Sequence, residues 1–330
     1  MKDSQKKKTL QKKKKNNSRH HLLLLVSDYF DQAKKKFVFI IVSITILNLI
    51  LGIVIVYLIG QIGQNMTQRT YPQLSIPELP IFSPDTTIEV SADALMVFEK
   101  DSRTVVFQKN GSLRFSPAST TKIMTALVAL DYYDINQYLV ANGVWQVKGS
   151  NMGLVEGEEM KVHDLLYGLM LPSGNDAAYV LASNYPGGTN AFIKKMNEKA
   201  QQLKLYNTMF FDPAGLDDRN YTTAFDLARL ALVGLQNELL RTIVRTQYIT
   251  VYDKSYMNVH TLENLNRLLR TPGVFGVKTG YTEEAGQVLV TSIDSKGKTY
   301  IIVVLKSADR FADTETVLKD VIEKIQLERF

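Results

Sequence analysis

The chain of 330 residues contains no cysteine, which excludes disulfide bonds and thiolate chemistry. Only two of its four histidines, His163 and His260, lie outside a basic N-terminal stretch. Two are too few for a three-histidine zinc site, and no His-Glu-x-x-His motif occurs. The P-loop pattern Gly-x-x-x-x-Gly-Lys-Ser/Thr and the Gly-x-Ser-x-Gly turn are also missing. These absences exclude several classes of enzyme, and the sequence predicts no metal and no cofactor.

Negative charge is scarce at the N-terminus, where the positive charge of the chain is concentrated. Residues 1–36 hold 12 lysines and arginines against three aspartates, a balance of +9, so the remainder carries −3 of the total of +6. Runs such as "KKKTLQKKKK" bind nucleic acid or anionic lipid in other proteins. Here we predict a disordered cytoplasmic tail that reinforces membrane topology, with anionic lipid as its partner and no nucleic acid.

An uncharged apolar run, "FVFIIVSITILNLILGIVIVYLIG", occupies residues 37–60. As a helix it would be about 36 Å long, enough to cross about 30 Å of hydrocarbon. Three lysines precede it directly, and the first charge after it is Arg69, so the positive-inside rule places the N-terminus in the cytoplasm. A cleaved signal peptide is the alternative, but its apolar core would be shorter and "QIGQNMTQ" offers no Ala-x-Ala-like site. We therefore predict an uncleaved anchor.

Residues 61–87 contain four of the nine prolines and are predicted to be a linker, which leaves 88–330 as the folded domain. Near its ends are two pairs of β-rich runs, 94–100 with 104–109 and 286–294 with 299–307, which are typical of hairpins. Between them the patterns are mostly helical, and an apolar stripe from Val317 to Ile325 indicates a final helix. The prediction is a mixed α/β fold, an antiparallel sheet flanked by helices, with a helical insertion.

Within "FSPASTTKIMTALVALDYY", Ser119 and Lys122 stand three residues apart on a segment of helical period. Positions i and i+3 share a helix face, so the hydroxyl and the amine would be neighbours. Serine needs a base within hydrogen-bond reach to become a nucleophile, and a desolvated lysine can serve. The pair is also common by chance on solvated helices, so it carries weight only together with other motifs.

Two further motifs follow. Ser173, Gly174 and Asn175 precede an apolar helical run in "LPSGNDAAYVLA", where they could equally form a helix N-cap. Lys278-Thr279-Gly280 lies on a predicted strand in "GVKTGYTEEAGQVLV", and glycine inside a strand often marks the close approach of another backbone.

In this order the three motifs match a set typical of penicillin-binding proteins and class A β-lactamases. Together with "DLLYGLMLPSGNDAA" and "FDPAGLDDRNYTTA", they resemble the D-alanyl-D-alanine carboxypeptidases, the low-molecular-mass penicillin-binding proteins of the S11 peptidase family. The resemblance covers about 92–328. It implies a DD-peptidase/β-lactamase-like fold and an enzyme of the bacterial cell membrane with an extracytoplasmic catalytic domain. It also implies peptidoglycan stem peptides and β-lactams as binding partners.

The resemblance also implies catalytic roles. Ser119 would be the acylated nucleophile and Lys122 its base, kept neutral by burial and by a second cation, Lys278. Ser173 would relay a proton to the leaving amine, and Asn175 would hold Lys122 and the substrate amide.

For substrate binding, the resemblance implies that Lys278 and Thr279 meet the terminal carboxylate and that Gly280 lets the peptide lie along the strand. The N–H groups of Ser119 and Tyr281 would form the oxyanion hole.

Three alternatives stay open. The same motifs serve a DD-endopeptidase and a weak β-lactamase, although the β-lactamase Glu-x-x-x-Asn motif is not found after the middle motif. A non-catalytic cell-wall or division scaffold is the third, and it would have no need of all these residues.

Overall fold

The computed structural model of the protein describes residues 2–67, 78–82 and 88–328. It divides into two compact units, Met1–Ser75 and Ile76–Phe330. Within the described residues the helices are α1 (Lys2–Thr67), α2 (Lys122–Tyr132), α3 (Val162–Met170), α4 (Asn175–Ser183), α5 (Gly188–Gln202), α6 (Ala224–Gln236), α7 (Glu238–Arg245) and α8 (Arg310–Asp320). The strands are β1 (Leu79–Ile81), β2 (Ala94–Glu99), β3 (Val105–Lys109), β4 (Tyr138–Val140), β5 (Glu159–Lys161), β6 (Tyr248–Tyr252), β7 (Val259–Glu263), β8 (Val274–Thr282), β9 (Gly286–Ser295), β10 (Lys298–Ser307) and β11 (Gln326–Glu328).

The described part of the first unit is the long helix α1. It contains a stretch, Leu25–Gln61, that is long and apolar enough to cross a bilayer, and the predicted span 37–60 lies inside it. The structure differs from the prediction of a disordered tail over 1–36, because the helix already begins at Lys2. The physical reason is composition: no proline occurs before Pro72, and lysine, glutamine and leucine all have high helix propensity.

The second unit is built on a five-stranded antiparallel sheet in the order β3-β2-β10-β9-β8. Successive side chains of a strand point to opposite faces, and both faces of this sheet are covered. On one face Met96, Val290 and Val303 join the core with helices α2–α7. On the other face Val97, Leu289 and Ile302 pack with the apolar side chains of α8 and the residues after it. The predicted mixed α/β fold, with both terminal hairpins and the helical insertion, is confirmed.

Three strand pairs were not predicted: β1 with β11, β4 with β5, and β6 with β7. The first four of these strands have only three residues each, too few for an alternating pattern to stand out. In β6 and β7 alternation is present, but exposed tyrosines weaken the contrast between the two faces. The final helix is also shorter than the apolar stripe indicated, because α8 ends at Asp320 and a 3-10 turn follows.

The strand β1 lies within the range 61–87 that the sequence assigned to a linker. Pro80 occupies its centre, which is tolerated because a two-stranded pair leaves one strand edge without ladder partners. The compact unit therefore extends N-terminally of residue 88 and includes residues 79–81.

Candidate active site

Ser119 and Lys122 lie where a 3-10 turn, Ala118–Thr121, runs into α2. Residues i and i+3 are eclipsed in a 3-10 turn, which places the two side chains on the same face, as the sequence predicted. Lys122 Nζ lies 3.0 Å from Ser119 Oγ. Ala118 has a φ of +46°, a conformation rarely adopted by residues with a Cβ, so the backbone is strained directly before the serine.

The Lys122 amine is fully buried and has two further partners, Asn175 Oδ1 and the Ala214 carbonyl oxygen, each at 2.7 Å. Both are oxygen acceptors here, so the amine must donate to them. A neutral amine has two hydrogens, and these two bonds use both. Its lone pair is then left for the hydroxyl of Ser119, the third neighbour. The site thus orients a neutral amine to accept a proton from serine.

Burial lowers the pKa of Lys122 to about 7, against the raising effect of the carboxylates Asp212 and Asp176. Burial also holds the pKa of Lys278 well below its usual range, with further lowering by the cations Lys122 and Arg310. The resemblance implied that burial and a second cation keep the base neutral. Burial is the largest cause of the lowered pKa of Lys122, and proximity to Lys122 contributes to the lowered pKa of Lys278.

Ser173 and Asn175 flank the start of α4. The N-cap position is Gly174, and no side chain caps this helix, so the N-cap interpretation of the motif is wrong. Ser173 has a φ of +64° and is buried, and its Oγ has no hydrogen-bond partner among the described residues. Asn175 is fixed by its Nδ2, which donates to the Lys148 carbonyl oxygen at 2.7 Å. Asn175 is therefore bonded to Lys122, and Ser173 offers an unused hydroxyl.

Strand β8 carries the third motif at the edge of the sheet. Lys278 and Thr279 are buried, and Lys278 Nζ donates to the Thr279 carbonyl oxygen at 3.1 Å. Gly280 packs against the serine turn so closely that a Cβ there would lie 3.0 Å from the Ser119 nitrogen. The Tyr281 side chain is 61% exposed. The edge of β8 thus runs past Ser119, where an extended peptide can add as a further strand.

The sequence did not reveal Arg310, the first residue of α8. One guanidinium N–H donates to the Gly280 carbonyl oxygen at 2.7 Å, while its Nε is buried without a partner among the described residues. The half-buried guanidinium of Arg310 and the buried amine of Lys278 lie on this side of the site, which suits an anionic group. No signal near Arg310 could have identified it, because an arginine at a helix start is common.

The described residues contain no group of three or more histidine, aspartate or glutamate side chains that could hold a metal ion. The chemistry available at the site is that of a serine hydroxyl, an uncharged amine and nearby cations.

A serine hydroxyl bonded to a buried amine, on a mixed α/β fold, defines the class of serine hydrolases that use a Ser–Lys pair. The family model of D-alanyl-D-alanine carboxypeptidase, peptidase family S11, matches residues 81–309. The chain belongs to this family.

The chain is also similar to named D-alanyl-D-alanine carboxypeptidases and to a D-alanyl-D-alanine endopeptidase. The chain is 37% identical over 230 residues to D-alanyl-D-alanine carboxypeptidase DacF of Bacillus subtilis, covering 66% of this chain and 57% of that protein. It is 40% identical over 229 residues to a D-alanyl-D-alanine carboxypeptidase of Streptomyces sp. strain K15, covering 62% and 77%. It is also 32% identical to a D-alanyl-D-alanine endopeptidase of Pseudomonas aeruginosa, covering 68% and 74%.

Among solved structures, the Streptomyces K15 DD-transpeptidase superposes with a TM-score of 0.68 at 33% identity. The match covers 71% of this chain and 98% of that one. The chain spans little more than half of DacF but nearly all of the K15 chain in the solved structure.

Proposed function

We propose that the protein is a membrane-anchored serine D-Ala-D-Ala carboxypeptidase that removes the terminal D-Ala from peptidoglycan stem pentapeptides. The observation that carries this proposal is the 3.0 Å contact between Ser119 Oγ and a buried Lys122 amine whose pKa is about 7. Near neutral pH such an amine is uncharged for about half of the time, so it can take up the serine proton.

The reaction is acyl transfer. Ser119 Oγ attacks the carbonyl carbon of the D-Ala-D-Ala bond while its proton passes to Lys122 Nζ, and the N–H groups of Ser119 and Tyr281 stabilise the oxyanion. Ser173 relays a proton to the nitrogen of the departing D-Ala as the C–N bond breaks. Water then cleaves the ester on Ser119, and Lys122 again accepts and returns the proton. A β-lactam acylates the same serine.

A cavity of about 390 Å³ beside Asn175 is suited to the upstream part of the stem peptide. It is lined by Tyr179 and Ser183, which follow Asn175 at four-residue spacing on one face of α4, and by Lys148 and Leu216. The Lys148 carbonyl oxygen accepts a hydrogen bond from Asn175 Nδ2, which supports a role for this cavity beside Asn175.

The free carboxylate of the substrate should matter strongly. If Lys278 binds it, amidating the terminal D-Ala removes a charge-assisted hydrogen bond worth about 1.5–3 kcal/mol. We expect a roughly ten- to hundred-fold loss of kcat/KM, measured as free D-alanine released from a wall pentapeptide by the full chain in detergent. The loss should shrink in Lys278→Gln, because the bond is already absent.

Two controls accompany this assay. Ser119→Ala must release no D-alanine, and Lys298→Gln, at the first residue of the central strand β10, must keep the full preference for the acid. Equal rates on acid and amide in the wild type would contradict the carboxylate site and favour the endopeptidase or β-lactamase alternatives. Absence of both D-alanine release and penicillin labelling would favour the scaffold.

The anchor and its orientation are part of the proposal. Residues 37–60 span the membrane, the tail 1–36 faces anionic lipid on the cytoplasmic side, and the catalytic domain lies outside. Protease added to intact spheroplasts should therefore degrade the catalytic domain and spare the tail, as detected by antibodies to each. The reverse pattern would contradict this orientation, and a mature protein beginning near Gln61 would contradict the uncleaved anchor.

A further inference from the structure

Two buried carboxylates influence the Lys122 amine, yet within the described residues neither is bonded to it. The first, Asp212, lies two residues before Ala214. It accepts four main-chain N–H groups at 3.0–3.3 Å and the side-chain amide of Asn220 at 2.5 Å. The four N–H groups are those of Ala214, Gly215, Leu216 and Asp217. The charge of Asp212 is therefore satisfied by the loop 212–217, which it holds in place.

The second carboxylate, Asp176, has a parallel arrangement on the opposite side. It accepts the main-chain N–H groups of Met152, Gly153 and Leu154 at 2.9–3.0 Å, and that of Ala177 in its own helix at 2.9 Å. Asp176 thus fixes the segment 148–154 to the start of α4.

Each of these two loops determines one acceptor of the Lys122 amine. The loop 212–217 supplies the Ala214 carbonyl oxygen directly. The segment 148–154 acts through Asn175, whose main-chain N–H donates to the Ser150 carbonyl oxygen and whose Nδ2 donates to that of Lys148, both at 2.7 Å. These two bonds leave Asn175 Oδ1 directed at the amine.

Lys278 supplies an internal comparison. Both lysines are buried and both lose hydration, but the pKa of Lys278 is lowered further by Lys122 and Arg310, whereas the carboxylates Asp212 and Asp176 raise the pKa of Lys122. The pKa of Lys278 is lowered far from its usual range, while that of Lys122 stays at about 7, a value suited to a base at neutral pH. The charged groups around Lys122 are these two aspartates and Lys278.

We propose that Asp176 and Asp212 are paired positioning residues for the reaction, each holding the loop that gives Lys122 one acceptor and each supplying negative charge around its amine. The inference rests on the proposed role of Lys122 as the base. Because main-chain N–H groups bind both carboxylates, neither forms a direct ion pair with lysine, which would stabilise the ammonium form and remove the base.

The charge can be tested apart from the loop geometry. Asp176→Asn and Asp212→Asn remove the charge, so the pKa of Lys122 should fall and the acid limb of penicillin acylation should move about one pH unit lower. At pH 6 the wild type should keep about one-tenth of its plateau rate and each variant about half. The plateau itself should fall, because an amide cannot accept from every N–H that the carboxylate bonds.

The matched control is Asp313→Asn. Asp313 is also buried and accepts the main-chain N–H groups of Ser91 and Ala92, but it packs on the other face of the sheet. This variant should leave the acid limb unchanged. Asp212→Glu keeps the charge and alters the geometry. It should therefore lower the plateau rate of acylation, while the acid limb of the pH profile shifts less than in Asp212→Asn.

For a variant whose acylation is too slow to assay, lysine side-chain NMR of the full chain in detergent measures the titration midpoint of Lys122. The Lys122 signal is assigned by its loss in Lys122→Arg. A Lys122 titration midpoint that is unchanged or raised in both Asn variants would overturn the inference. A wild type that penicillin does not label would instead overturn the proposed function, so the two failures are distinguishable.

Discussion

Replacing Lys122 by arginine is expected to lower the rate of penicillin acylation by about 10²–10⁴-fold, the usual contribution of a general base. Arginine keeps the positive charge but cannot give up its proton, so no lone pair faces Ser119 Oγ. Lys122→Ala should have a loss of the same order. Stopped-flow measurement with a fluorescent penicillin would give the rates, and circular dichroism would show whether the fold is retained.

The matched control for Lys122→Arg is Lys199→Arg, since Lys199 is a largely buried lysine of α5 that pairs with Asp131. This variant should label at the rate of the wild type. Near-normal labelling of Lys122→Arg would rule out the Ser–Lys mechanism, because the proton of Ser119 would then have to leave by another route.

The Gly215→Ala variant should be strongly destabilised. A Cβ at Gly215 would lie 1.8 Å from the Ala118 carbonyl oxygen, so the loop 212–217 or the serine turn must move. The φ of +84° adds about 1–2 kcal/mol of backbone strain and overpacking about 1–3 kcal/mol. At about 2–4 °C per kcal/mol, this total of about 2–5 kcal/mol should lower Tm by about 4–20 °C, with acylation impaired as well because Ala118 precedes Ser119.

The Gly157→Ala variant separates the backbone strain from the overpacking. Gly157 has nearly the same φ, +81°, but no described atom lies within 4 Å of the position that a Cβ would take there, so only the backbone strain applies. Thermal unfolding of both variants in the same detergent would give the difference in Tm that is due to the steric clash at Gly215. Equal Tm values for the two variants would show that the contact between Gly215 and Ala118 does not constrain the fold.

The main sheet was predictable because its strands carry their own signals. The pairs β2–β3 and β9–β10 are local, rich in β-branched residues and joined by short polar turns. The short strands β4 and β5 lack such a signal, since three residues derive their pairing from the surrounding fold. The helix over the basic tail was missed because charge density, rather than helix propensity, was used to predict disorder.

The candidate site likewise has a local part that sequence spacing predicted and a distant part that it did not. Ser119 and Lys122 are three residues apart, so a local rule was enough to place them together. The other two partners of the amine, Asn175 Oδ1 and the Ala214 oxygen, come from 53 and 92 residues further along the chain. Sequence spacing does not predict contacts between residues so far apart. The pKa of Lys122 depends on the loops that supply these contacts.

The order of the strands has a consequence for biogenesis. Val97 of β2 pairs with Ile302 of β10, so the middle of the sheet joins segments about 200 residues apart. The edge of β2 that faces β10 must stay unpaired until nearly the whole domain has been synthesised, since β3 covers only the other edge, and contacts of this separation form slowly. A chain arrested before β10 lacks the central strand, so it exposes β2 to proteases and to aggregation with other incomplete chains.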